Sequence, residues 1–180
     1  MRGRLLVAAP HLDDDPNFRR AVVLVLEHAD EGALGIVLNQ PMEVPAADAL
    51  PEPLASVVTD GTPVYRGGPV QPGTVIVLAE FDDPSVAGGI MFDTVGILDP
   101  ESVADEAGPA LGRARAFGGY AGWGGGQLES EMRQDAWIDA APVPGDVFTD
   151  DPSTLWSTVL GRVGASYRLM ASAPDDPLLN

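Results

Sequence analysis

Apolar positions along this chain follow the period of strands more often than that of helices. From Val22 to Pro41 the run VVLVLEHADEGALGIVLNQP sets Val22, Leu24 and Leu26 on one side of an extended chain and Val23 and Val25 on the other. That is the pattern of a strand covered on both faces. Ala29–Ala33, with Asp30, Glu31 and Gly32, predicts a turn, and Leu34–Asn39 the returning strand. Pro41 ends it, because proline cannot donate to a ladder. Further strands are expected at Arg4–Ala9, Val64–Arg66, Gly73–Phe81, in two short pieces of Gly89–Leu98 split around Asp93 and Thr94, at Arg113–Trp123 and at Trp137–Ala140.

The helical period is confined to the second half. Asp99-Pro100-Glu101 reads as a helix start that Gly108-Pro109 stops. Gln127–Gln134 carries Leu128 and Met132 on one face, with Ala136 in line, and a favourable Glu129–Arg133 pair on another. Asp151-Pro152 predicts the start of a last helix with Leu155, Val159 and Val163 in a stripe, Trp156 and Leu160 beside it, and Gly164 at its end. Tyr167–Met170 closes the fold in this reading, before an acidic tail. Asp15-Pro16 suggests a single turn that turns Phe18 inward. Met42–Pro63, with Pro45, Pro51 and Pro53, has no clear period and reads as a loop-rich crossover with a helical turn near Ala46–Leu50. Strands outnumber helices without alternating one for one, which favours α+β with a mixed sheet over a doubly wound fold. No repeat or linker breaks the 180 residues, so a single compact domain over 1–180 is expected.

Composition sharpens the exclusions. The chain has no cysteine and no lysine, so thiol nucleophiles, zinc–thiolate sites, Schiff-base chemistry and the phosphate-loop lysine are absent. There are two histidines, His11 and His28. No run is long enough to span a membrane and no signal-peptide pattern opens the chain, which predicts a cytoplasmic protein with no membrane partner. The net charge of −17 repels a phosphate backbone at long range. No helix-turn-helix signature is present, so nucleic acid is not the expected partner. Asp13, Asp15 and Asn17 open like a calcium loop, but Phe18 stands where glycine is needed and Leu24 where glutamate is needed.

The fragments GRLLVAAPHLDDDPNFRRAVVLVLEH, GALGIVLNQP, YRGGPVQP, GYAGWGGGQLESEM, AWIDA and the terminal DDPLLN resemble, in order and nearly end to end, the AlgH/YqgE family of bacterial proteins. The resemblance implies an α+β fold with a mixed, partly barrel-like sheet flanked by helices. It also brings a regulatory label, attached through one member linked to alginate synthesis, and no agreed catalytic residue.

Four places are candidates for binding. Gly124, Gly125 and Gly126 join a strand to a helix, where free N–H groups can hold an anion with Arg113 or Arg115 nearby; the same glycines also permit tight packing. Gly67 and Gly68, before Pro69, either line a cleft with Asn39 and Gln40 or form a turn. His28, before Asp30 and Glu31, is a base or ligand candidate or a hydrogen-bonded strand-end histidine. Arg2, Arg4, Arg19 and Arg20 make either a basic arm or surface pairs with Asp13–Asp15. No cofactor or metal is expected. The function expected is a regulatory or interaction role through a protein partner; the alternatives are binding or turnover of a small anionic ligand, and transcriptional regulation in the strict sense.

Overall fold

The computed structural model describes residues 1–58, 61–103, 110–164, 166, 167 and 169. The strand β2 (Val22–Ala29) is central, between β1 (Leu5–Ala8) and β3 (Gly32–Val37), and both its neighbours run antiparallel. Its two faces serve two cores, as the residue pattern predicts. Val22, Leu24 and Leu26 enter an inner core, and Val23 and Val25 an outer one. The turn between β2 and β3 tightens to Asp30 and Glu31.

After β3 the chain forms β4 (Pro41–Pro45), the short helices α1 (Ala46–Ala49) and α2 (Leu54–Val57), and β5 (Pro63–Arg66). The returning strand does end before Pro41, but Pro41 itself begins an edge strand leading into the segment read as a loop-rich crossover. The ladder pairs Pro41 with Tyr65 and Pro45 with Pro63, which an edge position tolerates. Then come β6 (Val70–Phe81) and the hairpin β7 (Gly89–Phe92) and β8 (Val95–Ile97), turned at Asp93. α3 (Pro100–Val103) starts where expected; its stop at Gly108-Pro109 lies outside the described residues. β9 (Leu111–Gly124) follows, then α4 (Gln127–Arg133), β10 (Trp137–Ala140), α5 (Pro144–Val147) and α6 (Leu155–Val163). α6 begins three residues beyond Pro152, and α5 has no counterpart in the sequence reading.

The strand order is β10-β1-β2-β3-β9-β6-β8-β7, with β5 against β9 and β4 against β5. All pairings are antiparallel except β5–β9. The fold is thus α+β with one large mixed sheet. The sheet curls: Met91 and Val95 from the β7–β8 end share the inner core with Leu24 and Leu26, and Arg2 donates to the carbonyls of both Leu26 and Ile90. No pairing joins β10 to β7 among the described residues, so the barrel-like closure that the resemblance implies has no ladder behind it. α6 covers the inner core with Leu155, Trp156, Val159 and Leu160. The Trp156 indole N–H donates to the Ala8 carbonyl at 2.8 Å, fixing the helix over β1. No helix among the described residues is long and apolar enough to cross a membrane.

Candidate functional site

The glycine turn at Gly124, Gly125 and Gly126 is held by its own chain. The Gln127 side-chain oxygen accepts from Gly124 N at 3.1 Å. A Cβ on Gly125 would lie 2.7 Å from the Asp30 carbonyl oxygen, so this glycine is what lets the β2–β3 turn approach. Arg115 is not near it. From Arg115 to Gly124 the chain is one extended strand, nine positions or roughly 30 Å long. Arg113 and Arg115 therefore do not serve this turn, whose neighbours Asp30, Glu31 and Glu129 are acidic.

Arg115 is buried elsewhere, 5% exposed. Its guanidinium donates to the carbonyls of Val147 and Thr149, both at 2.9 Å, and lies 4.5 Å over the Tyr65 ring. Burial pushes its pKa below the ordinary guanidinium value. The cavity it borders with Arg113 and Asp150 holds about 40 Å³, room for roughly one water.

Asn39 bridges β3 to the start of β2: its Oδ1 accepts from Val22 N and its Nδ2 donates to the Arg20 carbonyl, both at 2.9 Å. Gly67 and Gly68 are buried against β9. Gly67 N donates to the Gly118 carbonyl, and the Gly67 carbonyl accepts from Val37 N. A Cβ on Gly67 would stand 2.3 Å from the Gly119 carbonyl oxygen, and one on Gly68 2.1 Å from the Tyr120 carbonyl carbon. Asn39, Gly67 and Gly68 thus lie close along the end of β3, but the polar groups of Asn39 and Gly67 are spent on joining strands, and Gly68 is packed tightly against the β9 backbone. His28 is hydrogen bonded on both ring nitrogens, to the Met1 amine and to Glu129. Arg4 pairs with Asp139 through two 2.9 Å bonds, not with the acidic run at Asp13–Asp15.

A concavity with mixed polar and apolar lining lies elsewhere, at β10. A cleft of about 550 Å³ is bordered by His11, Asp135, Trp137, Asp139, Val163 and Tyr167. A second of about 370 Å³ continues it past Ala140 to Val143 and Arg162, sharing Asp139 and Val163. Together they follow the outer edge of β10, the last strand on its side of the sheet. The edge is open because of the ladder's alternation. Ala9 N donates to the Ala136 carbonyl, and the register continues Val7↔Ile138 and Leu5↔Ala140. Ala136, Ile138 and Ala140 therefore turn their N–H and C=O toward β1, while Trp137 and Asp139 turn theirs outward. The cleft straddles this edge. Ile138, Val163 and Tyr167 belong to the inner-core side, and Trp137 and Met132 to the outer-core side.

Trp137 is anchored by an unusual acceptor. Glu131 Oε2 accepts from the indole N–H of Trp137 at 2.8 Å and of Trp123 at 2.9 Å, while Oε1 accepts from Gln127. Phe18 packs against both indoles, at ring distances of 5.3 and 6.4 Å. Glu131→Ala would leave two buried indole donors without an acceptor, and a stability loss of about 3 kcal/mol is expected. Glu131→Gln, which keeps an acceptor oxygen, should lose about 1 kcal/mol. Urea denaturation followed by tryptophan emission measures both.

Strand β10 itself is legible in the sequence, and AWIDA is among the fragments that carry the family resemblance. Its position at an edge is not, since that depends on which strands pair far along the chain. Within the cleft, no nucleophile–base pair is hydrogen bonded among the described residues, and no group of three metal-ligating side chains is found among them.

Comparison with known proteins agrees with this fold. The family model described as AlgH-like, DUF179, matches residues 5–168. A UPF0301 protein of Streptomyces coelicolor is 42% identical over 188 aligned positions, which cover all of this chain and 95% of the relative. A UPF0301 protein of Thermobifida fusca is 39% identical, covering all of this chain and 96% of the relative. Among solved structures, the crystal structure of protein DIP2367 from Corynebacterium diphtheriae superposes with a TM-score of 0.85 at 26% identity, covering 96% of this chain and 92% of that one. The solution structure of the AlgH protein from Pseudomonas aeruginosa, also UPF0301, gives 0.68 at 28% identity, covering 95% and 93%.

Proposed function

The chain belongs to the AlgH-like family, and from that premise we propose that it is a cytoplasmic regulatory or interaction protein that holds another polypeptide along the open edge of β10. The observation that carries this reading is the edge itself: two residues, Trp137 and Asp139, turn their backbone groups outward beside two adjoining clefts that share Asp139 and Val163. Exposed strand edges are templates for pairing, and proteins protect them by cover, proline, short length or charge; the Asp139 charge on β10 opposes self-pairing without blocking an unlike partner. β10 is neither covered by another strand among the described residues nor interrupted by proline.

Direct DNA reading has less support. The net charge of −17 opposes a polyanion, and four of the ten arginines are engaged within the fold. Arg4, Arg113 and Arg162 are in ion pairs with Asp139, Glu80 and Asp146, and Arg115 is buried. A small anionic ligand at Asn39, Gly67, Gly68 or the Gly124–Gly126 turn is also the weaker reading. Asn39, Gly67 and the Gly124 N–H bond to the fold, and the turn is flanked by acids.

A photo-crosslinking amino acid at the exposed His11, on the rim of the cleft, tests the reading in the living host. Polypeptide adducts are expected from that position and not from Gly73, an exposed site on β6. Nucleic-acid adducts, or equal polypeptide adducts from both positions, would overturn it.

A further inference from the structure

We infer that the occupant of the β10 edge is an extended segment of a partner in which apolar and basic residues alternate, added as one more strand of the sheet. This rests on the reading of the β10 cleft as a polypeptide site and names the chemistry of what it takes.

The two faces of the edge differ. Successive side chains of a strand point to opposite faces, and a strand added beside β10 repeats that alternation in step with it. On the inner-core face the added side chains meet Ile138, Val163 and Tyr167, all half-buried apolar groups packed on that core. Val143, 43% exposed, extends the apolar wall into the second cleft. On the opposite face they lie beside Asp139, on the same side of β10 as Trp137, and the cleft there is also bordered by Asp135. Asp139 shares its charge with Arg4, whereas Asp135 is exposed and in no ion pair among the described residues. One face therefore selects apolar residues and the other cations, with the field of a chain of net charge −17 behind it.

The same charges argue against a second copy of this chain as the occupant. Pairing β10 with β10 would set two Asp139 side chains on one face and bring two chains of −17 together. Like charges along an open edge keep a strand from pairing with itself while leaving its backbone groups available to a basic partner.

The test uses the full chain and blocked synthetic peptides of alternating valine and lysine, with alternating valine and glutamate as comparator. Binding is read by polarisation of a fluorescent label at fixed salt. The valine–lysine peptide should bind at least about tenfold more tightly than the valine–glutamate one. Asp135→Asn, which keeps a residue type tolerant of the positive φ of 55° found there, should weaken it by up to about fivefold, the weight of one exposed ion pair. Backbone pairing is tested separately, by N-methylating either all lysines or all valines. In a strand only every second N–H faces the neighbour, so one methylated set should lose about tenfold or more and the other little. Loss in the lysine-methylated set marks antiparallel addition, and loss in the valine-methylated set parallel addition. If the two sets bind alike while Asp135→Asn and Val143→Glu weaken binding, strand addition is overturned and the polypeptide site stands. If neither groove variant alters binding, or no peptide binds, the proposed segment is wrong; coupled with position-independent crosslinking from His11 and Gly73, the site reading goes with it. Sedimentation of the peptide-free chain as a dimer that Val143→Glu dissolves would name a second copy as the occupant and overturn the proposal.

Discussion

Gly68→Ala is expected to abolish soluble, folded protein or to lower stability by more than about 4 kcal/mol. The new methyl would sit 2.1 Å from the Tyr120 carbonyl carbon, 2.3 Å from the Ala121 nitrogen and 2.3 Å from the Tyr120 carbonyl oxygen. All three are backbone atoms of β9, so no rotamer change can relieve the overlap. β9 cannot retreat either, because it is hydrogen bonded to β6 on one side and to β5 and β3 on the other. The two glycines follow the end of β5, at the seam where the end of β3 meets the end of β5 along β9, and Gly67 bonds to both Val37 and Gly118 across it. For a domain whose total stability is about 5–15 kcal/mol, one such overlap removes a large part. Gly73→Ala is the control. Nothing lies within 4 Å of its Cβ position, and its change in denaturation midpoint should be small. A folded Gly68→Ala chain with a midpoint close to that of Gly73→Ala would show that the seam is looser than described.

That seam shows where sequence reasoning reaches and where it stops. The glycine pair is plain in the sequence, and a turn or a cleft are both fair readings of it. Which residue approaches it, Tyr120, lies about fifty positions away, and local pattern carries no such information. β2 is the opposite case. The alternation of Val22 to Leu26 specifies two buried faces by itself, because the period of a strand is fixed by the backbone. β4 is hidden in the sequence for a physical reason: prolines at both ends signal breakage, yet at an edge the missing donors are not needed. The sequence sets Arg115 near Gly124 only on the page, because a fourteen-residue strand looks compact in print and is long in space. The candidate cleft combines both kinds. Strand β10 and helix α6 are legible from their apolar periods, but their meeting at an open edge follows from pairings between β1 and the distant β10.

Arg162→Met should cost about 3–5 kcal/mol, because it strands a buried carboxylate. Asp146 is 2% exposed, and Arg162 donates to it through both terminal nitrogens, at 2.8 and 2.6 Å. Its remaining capacity accepts from Val143 N at 2.9 Å. Removing the guanidinium leaves only that neutral donor against the charge. Asp146→Asn should cost less, about 1–2 kcal/mol, since an amide oxygen can still accept from Val143 N and the arginine, roughly a third exposed, turns to water. The double variant Asp146→Leu, Arg162→Met should recover most of the loss, as buried ion pairs replaced by apolar side chains of similar volume often do. Equilibrium unfolding in urea of the native chain, Arg162→Met, Asp146→Leu and the double variant supplies the cycle, with Asp146→Asn measured beside it. The pair also decides the shape of the cleft, because Arg162 and Val163 form its wall while Val143 and Asp146 belong to the segment on the other side. In the double variant the valine–lysine peptide should therefore bind within about threefold of the native chain, since packing, not charge, would then hold α6 in place. If stability returns but binding does not, the guanidinium itself faces the occupant, and the basic residues of the partner must lie on the Asp135 side alone.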